Sequence, residues 1–173
     1  MSNNHTQLIL GGVRSGKSAH ALAIAEAIAA KRHCFIATAQ AFDDEMTARI
    51  EQHQEDRGDR WETIETQTAL ADIIRTECHE DTVCLIDCLT LWLSNLMLQE
   101  VDITSAMDEL FDATSEATGS LVFVSNEVGM GLVPETPLGR QFRDEHGRLN
   151  QRMAAICSRV EFITAGLPMV LKG

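Results

Sequence analysis

The stretch "LILGGVRSGKSAHALAIAE", residues 8–26, joins a short apolar run, a glycine-rich bend, a Lys-Ser pair and an alanine-rich tract. Leu8–Leu10 predicts a short buried strand, and from Gly16 to Ala30 the alanines, with Leu22, Ile24 and Ile28, have helical composition and spacing. Between the two, Gly11-Gly12-Val13-Arg14-Ser15-Gly16-Lys17-Ser18 fits the pattern G-x-x-x-x-G-K-[ST]. Glycines let the backbone wrap closely enough to aim N–H groups at phosphate oxygens. Lys17 supplies a point charge to the β- and γ-phosphates, the Ser18 hydroxyl can ligate Mg²⁺, and the following helix adds its positive end. A match of this kind arises by accident on the order of once in a hundred chains of this length. Here it also sits between a strand and a helix, the context the loop requires. All eight residues are therefore expected to bind a nucleoside triphosphate.

Working outward, strands are expected at "HCFIATA" (33–39), "WETIE" (61–65), "TVCLID" (82–87), "SLVFVSNE" (120–127), "VEFITAG" (160–166) and "PMVLK" (168–172). Helices are expected over 43–57, 68–78, 89–99, 105–118 and around 138–158. Continuous apolar strands alternating with helices predict one α/β domain spanning 1–173, P-loop NTPase-like, with a mostly parallel sheet in three α/β/α layers. Ligands of such sheets lie beyond the carboxyl ends of the strands, so the residues just after each strand come under scrutiny.

Composition narrows the partners. Fourteen basic against twenty-six acidic residues give a net charge of −12, which disfavours a nucleic-acid surface but not a local nest of N–H groups. Five cysteines (Cys34, Cys78, Cys84, Cys88, Cys157) show no CxxC spacing and read as reduced core thiols. The polar start "MSNNHTQ" lacks a basic leader pattern, and the longest apolar tract is broken by Glu26, so a cytoplasmic protein without a membrane span is expected.

A P-loop needs a carboxylate on a neighbouring strand to complete its Mg²⁺ site, and Asp87, ending "TVCLID", is the candidate, with Glu127 a second. The competing role for Asp87 is a helix N-cap. In the charged segment, Arg49, His53 and Arg57 recur every four residues and would share one helical face. Guanidinium groups around an imidazole repel a metal ion but suit phosphate, since arginine stabilises phosphoryl oxygens while neutral imidazole attacks phosphorus. A solvated charged helix is the plainer reading of the same spacing.

Five stretches together, "GGVRSGKS", "FIATAQAFDDEMTARI" running into "EQHQEDR", "WETIE", "VSNEVGMGLVPETPLGRQFRD" and "GRLNQRMA", cover nearly the whole chain. In them the sequence resembles the bifunctional adenosylcobinamide kinase/adenosylcobinamide-phosphate guanylyltransferase family of cobalamin nucleotide-loop assembly. The resemblance implies phosphorylation of the aminopropanol hydroxyl of adenosylcobinamide by GTP or ATP, then transfer of GMP from GTP to that phosphate. It implies a histidine carrying GMP as a phosphoramidate, and His53, eight residues before Trp61, is the position that fits. By the same resemblance Ala37, Thr38, Ala39, Gln54, Glu55, Asp56 and Arg57 contact the guanine nucleotide, and Glu65 and Asp87 lie in the site, with Glu65 or Glu55 able to accept the guanine N1 and N2 hydrogens. A homotrimer is implied as well.

This chain departs from the pattern in three places. Gln52 stands where some members have a second histidine, Arg57-Gly58 replaces Arg-Pro, and Asp87 stands where some members have Glu. None removes a required group. The remaining histidines read as structural: His5, His33 and His79 at the surface or strand ends, His20 and His146 near motif segments. Met97, Met107 and Met153 read as core. The loop "EVGMGLVPETP" (127–137) suits either a lid or corrinoid-contacting loop, or a plain connection. Two other functions stay open: a P-loop small-molecule kinase without transferase activity, and a nucleotide-binding switch, although no Asn-Lys-x-Asp string is present.

Overall fold

Seven strands form one sheet in the computed structural model, which describes residues 5–39 and 60–173. In chain order the elements are β1 (Thr6–Gly11), α1 (Lys17–Ala27), β2 (Arg32–Ala37), β3 (Trp61–Glu65), α2 (Leu70–Glu77), β4 (Thr82–Asp87), α3 (Leu89–Leu98), α4 (Ile103–Glu116), β5 (Ser120–Asn126), α5 (Pro137–Ile156), β6 (Arg159–Thr164) and β7 (Leu167–Lys172). The spatial order is β3-β2-β4-β5-β1-β6-β7. Every pairing is parallel except β6 with β7. That hairpin closes through Ala165 and Gly166, both at positive φ (52° and 77°), as a tight hairpin turn requires. The expected helix over 43–57 lies outside the described residues.

The apolar strands are buried on both faces, and successive side chains go to opposite layers. Leu8, Ile36, Ile86, Leu121 and Phe123 join one core with Leu70, Ile74, Trp92, Leu93, Leu110, Leu149 and Met153 from helices α2 to α5. Ile9, Phe35, Leu85, Val122 and Val124 join the other, against Ala21 and Ala25 of α1. Alanine is a strong helix former and lets α1 sit close on β1, β4 and β5. Two-layer coverage of a mainly parallel sheet is the three-layer α/β/α arrangement expected from the sequence.

All five cysteines are free and buried, as expected. Burial pushes the Cys88 and Cys157 thiols up to about 11 and about 12, so neither is a thiolate nucleophile. Met107 and Met153 are core residues, and Met97 packs against that core. His33, expected at the surface or a strand end, lies near the start of β2 and is not at the surface. It pairs in register with both Trp61 of β3 and Val83 of β4, is buried, and meets the Trp61 ring edge-on at 5.1 Å between centroids. Burial, and then the nearby Arg60 charge, hold its imidazole below the usual range.

Candidate functional site

The carboxyl ends of the parallel strands make one rim, and β1 releases the chain there into the glycine-rich loop. Arg14 and Gly16 adopt positive φ (56° and 94°), and Ser15 N donates to Gly12 O at 3.3 Å, so the loop folds back on itself. Gly16 needs its missing side chain: besides the left-handed backbone, a Cβ there would lie 3.3 Å from Gly166 Cα. The β6–β7 turn supports the loop from that side, with Gly166 N donating to Ser15 O at 2.8 Å. On the other side, Glu127 N donates to Gly11 O at 3.0 Å.

Helix α1 then starts at Lys17 with no side chain capping it and no acidic residue in its first turn. Its leading N–H groups and the positive end of its dipole are left for an anion. Lys17 Nζ donates to Gly12 O at 3.0 Å, which holds the ammonium over the loop, and Gly12 has open space where a Cβ would be. Two buried oxygens nearby have no partner among the described residues, Ser15 Oγ and Asn126 Oδ1. Uncapped donors, a restrained cation and the unpartnered Ser15 hydroxyl together fit a bound polyphosphate, whereas Asn126 Oδ1, an acceptor, calls for a donor.

The sheet order corrects one expectation. Asp87 does not lie on a strand neighbouring β1, because β5 intervenes and β6 flanks the other side. At about 4.8 Å per strand, Asp87 stands about 10 Å along the rim from β1, the end of β2 about 14 Å and Glu65 about 19 Å. Asp87 also does not occupy the capping position of α3, which is held by Cys88. The hydroxyl of Ser18 and the carboxylate of Asp87 are the hard oxygen donors a Mg²⁺ ion prefers. Among the described residues no cluster of three or more His, Cys, Asp or Glu could hold a metal. A cation there would have to arrive with phosphate oxygens. Glu127 has its carboxylate turned into its own loop, accepting from Gly129 N at 2.7 Å and Met130 N at 3.0 Å.

Ala37, Thr38 and Ala39 follow β2 along the rim. Thr38 is fully buried and all its polar groups are engaged. Its hydroxyl donates to Cys88 O (2.7 Å) and accepts from Cys88 N (2.9 Å), its N–H donates to Asp87 O (3.3 Å), and its carbonyl accepts from Asn95 Nδ2 (2.9 Å). Thr38 thus locks the end of β2 to the end of β4. Asn95 also donates to Gln67 O at 3.1 Å, drawing the segment after β3 into the same tie. Glu65 is exposed at the end of β3, in register with Ala37. His53, Gln54, Glu55, Asp56 and Arg57 lie outside the described residues.

A second network was not singled out from the sequence. His146 of α5 is buried, with Nδ1 accepting from Asn150 Nδ2 at 3.2 Å, so Nε2 carries the proton and donates to Thr90 Oγ1 at 3.0 Å. Thr90 Oγ1 in turn accepts from Asn126 N at 2.8 Å, and Asn150 Nδ2 donates to Asn126 O at 3.0 Å. Ser125 Oγ donates to Asn150 Oδ1 at 2.7 Å. The available signal was a single His-x-x-x-Asn spacing on one helical face, ambiguous until the partner strand was known. His20 likewise bonds Glu161 at 2.5 Å, tying the first turn of α1 to β6.

Burial pushes the His146 imidazole down to about 4. Unfolded, it titrates near 6.5, so the unfolded chain binds more protons between those values. Stability from this site is complete above about pH 6.5 and is lost as pH falls toward about 4, by up to roughly 3 kcal/mol. Melting temperatures across pH 4–7 are expected to show that slope, and His146→Gln to flatten it. Equal slopes in both proteins would remove His146 as its source.

Comparison with known proteins covers nearly all of this chain. Residues 7–171 match the family model described as cobinamide kinase / cobinamide phosphate guanyltransferase (CobU). The chain is 46% identical over 173 residues to the bifunctional adenosylcobalamin biosynthesis protein CobP of Pseudomonas aeruginosa, covering 96% of each chain. It is 36% identical over 180 residues to the bifunctional adenosylcobalamin biosynthesis protein CobU of Escherichia coli, covering 95% of this chain and 98% of that one. Among solved structures, a prototypical ATPase from the type III secretion system superposes with a TM-score of 0.57 at 11% identity, over 96% of this chain and 56% of that one. At that identity the likeness concerns the fold alone.

Proposed function

The chain belongs to the cobinamide kinase / cobinamide phosphate guanyltransferase family of enzymes, and from that premise we propose that it runs two successive reactions along the carboxyl rim of its sheet. In the first, GTP or ATP phosphorylates the aminopropanol hydroxyl of adenosylcobinamide. In the second, His53 attacks the α-phosphorus of GTP, pyrophosphate leaves, and the GMP so held passes to the corrinoid phosphate to give adenosylcobinamide-GDP. The P-loop geometry carries this reading: Gly11 to Ser18 present uncapped N–H groups beneath Lys17.

The triphosphate rests on Gly11, Gly12, Val13, Arg14, Ser15, Gly16 and Ser18, with Lys17 neutralising charge that develops on the β- and γ-phosphates or the departing pyrophosphate. Ser18 and Asp87 would hold Mg²⁺, which adds Lewis-acid neutralisation of the same oxygens when bound. Ala37, Thr38, Ala39 and Asp87, braced by Asn95, form the middle of the rim. Glu65, about 19 Å from β1 by strand spacing, lies beyond reach of the phosphates and suits the guanine end. Gln54, Glu55, Asp56 and Arg57 complete the nucleotide contacts, Arg57 on the α-phosphate. A covalent histidine carrier splits transfer between two bulky anions into two easier steps.

The loop from Glu127 to Pro137 is read as the corrinoid contact. Glu127 and Arg140 brace its two ends by hydrogen bonds, and Glu127 N is tied to Gly11 O of the phosphate loop, yet Met130, Leu132 and Val133 stand exposed. The homotrimer is carried by the family resemblance, and β7, an edge strand that exposes Leu167, Met169, Val170 and Leu171, offers an apolar surface for contact between copies. No described helix is long and apolar enough to cross a membrane, and a cytoplasmic location is proposed. The test is incubation with cobinamide and γ-labelled GTP or ATP. Label appearing in the corrinoid supports the kinase half, whereas label released only as inorganic phosphate would favour a switch.

A further inference from the structure

We propose that Asn126 is a catalytic residue of phosphoryl transfer, its side-chain carbonyl receiving the hydroxyl of the acceptor alcohol and aiming it at the γ-phosphorus. The proposal rests on the kinase reading above and assigns a group to the one reactant that the phosphate loop does not touch.

Position comes first. Asn126 is the last residue of β5, the strand lying directly against β1, and it pairs in register with Gly11, where the phosphate loop begins. Side chains alternate along a strand, and Val122 and Val124 face the layer containing α1. Asn126, two further on, shares that face, the one on which the phosphate loop opens into α1. Asp87 is one strand farther away.

Restraint comes next. Beyond β4 the backbone of Asn126 has no strand partner on that side, and side chains replace it: Thr90 Oγ1 takes its N–H and Asn150 Nδ2 takes its carbonyl. Both are fixed in turn by buried, neutral His146. Three residues from two helices, Thr90 of α3 and His146 and Asn150 of α5, thus hold one backbone position, which is the support a reacting group needs to keep its geometry.

The third observation is the vacancy in its bonding. Asn126 Oδ1 is buried without a hydrogen-bond partner, and a buried carbonyl left so is costly. A carbonyl oxygen needs a donor, and the phosphate oxygens of a bound triphosphate are acceptors only. The acceptor alcohol brings an O–H. In the reaction the alcohol oxygen bonds to the γ-phosphorus as the bond from that phosphorus to the β,γ-bridging oxygen breaks. The nucleoside diphosphate leaves with the electron pair, and the hydroxyl proton passes to the transferred phosphoryl group and then to water. The carboxamide takes no proton. It orients the lone pair that attacks.

Phosphorylation of cobinamide by wild type, Asn126→Ala and Asn126→Ser should be measured alongside melting temperature and the affinity of each protein for a fluorescent GTP analogue. The expected result for Asn126→Ala is a fall of about 10²-fold in kcat, with nucleotide affinity and melting temperature held near those of wild type. Asn126→Ser, which keeps an oxygen acceptor, should fall less. An unchanged kcat in Asn126→Ala, or a loss of kcat matched by a loss of nucleotide affinity, would overturn the assignment. Phosphorylation absent already in wild type would overturn the kinase reading and this assignment with it.

Discussion

Lys17→Ala is expected to lower phosphorylation of cobinamide by about 10³-fold in kcat/KM and to depress guanylyl transfer with it. Lys17 is the basic group of the phosphate loop that the structure restrains, its ammonium held on Gly12 O at 3.0 Å. Both proposed reactions leave negative charge on the β-phosphate, at its β,γ-bridging oxygen when nucleoside diphosphate departs and at its α,β-bridging oxygen when pyrophosphate departs. A single ammonium placed there stabilises both transition states, so one substitution should injure both. Lys17→Arg should not restore the activity, because a planar fork does not fit a cradle built around a compact point charge. Steady-state rates for each half-reaction, measured separately, check this. Guanylyl transfer surviving in Lys17→Ala would place the triphosphate of the second reaction elsewhere.

His53→Ala is expected to have the opposite signature, with guanylyl transfer falling by about 10⁴-fold or more and phosphorylation of the alcohol persisting. Removing a covalent nucleophile closes the two-step route, whereas a γ-phosphoryl transfer to an alcohol has no need of a carrier. The split between the two activities discriminates this role from a structural one, since a misfolded variant would lose both. The comparison to make is the ratio of the two rates in wild type and variant. A ratio that stays constant would contradict the assignment of His53.

Much of the fold was legible because the strands here are two-sided. "TVCLID" and "SLVFVSNE" read as continuous apolar runs, which only a covered parallel sheet tolerates, and both lie within the sheet. The phosphate loop was legible for a different reason: its spaced glycines and Lys-Ser pair form a recognisable pattern, and at Gly16 the left-handed backbone demands the glycine that stands there. Spatial order was not. Nothing in the residues of β5 announces that it inserts between β1 and β4, so Asp87 was expected one strand nearer than it is. Polar ties between distant elements were equally hidden. Asn95 stands out within "LTLWLSNLML" as a buried amide in an apolar helix, but its partners Thr38 and Gln67 lie 57 and 28 positions away. For His33 the sequence left surface and strand end both open, because its burial depends on β3 and β4 flanking it, not on its neighbours in sequence. The His146 network needed α3, β5 and α5 together before its purpose could be stated.

The proposed guanylyl transfer requires a covalent GMP carrier working beside an ordinary phosphate loop. The most direct measurement incubates GTP labelled at the α-phosphate with wild type and with His53→Ala in the presence of Mg²⁺, then assays label retained on denatured protein. Acid-labile, base-stable label on wild type alone is the predicted result. No label on either protein, with GTP still bound, would contradict the carrier and leave a simple P-loop kinase or a switch as the better description.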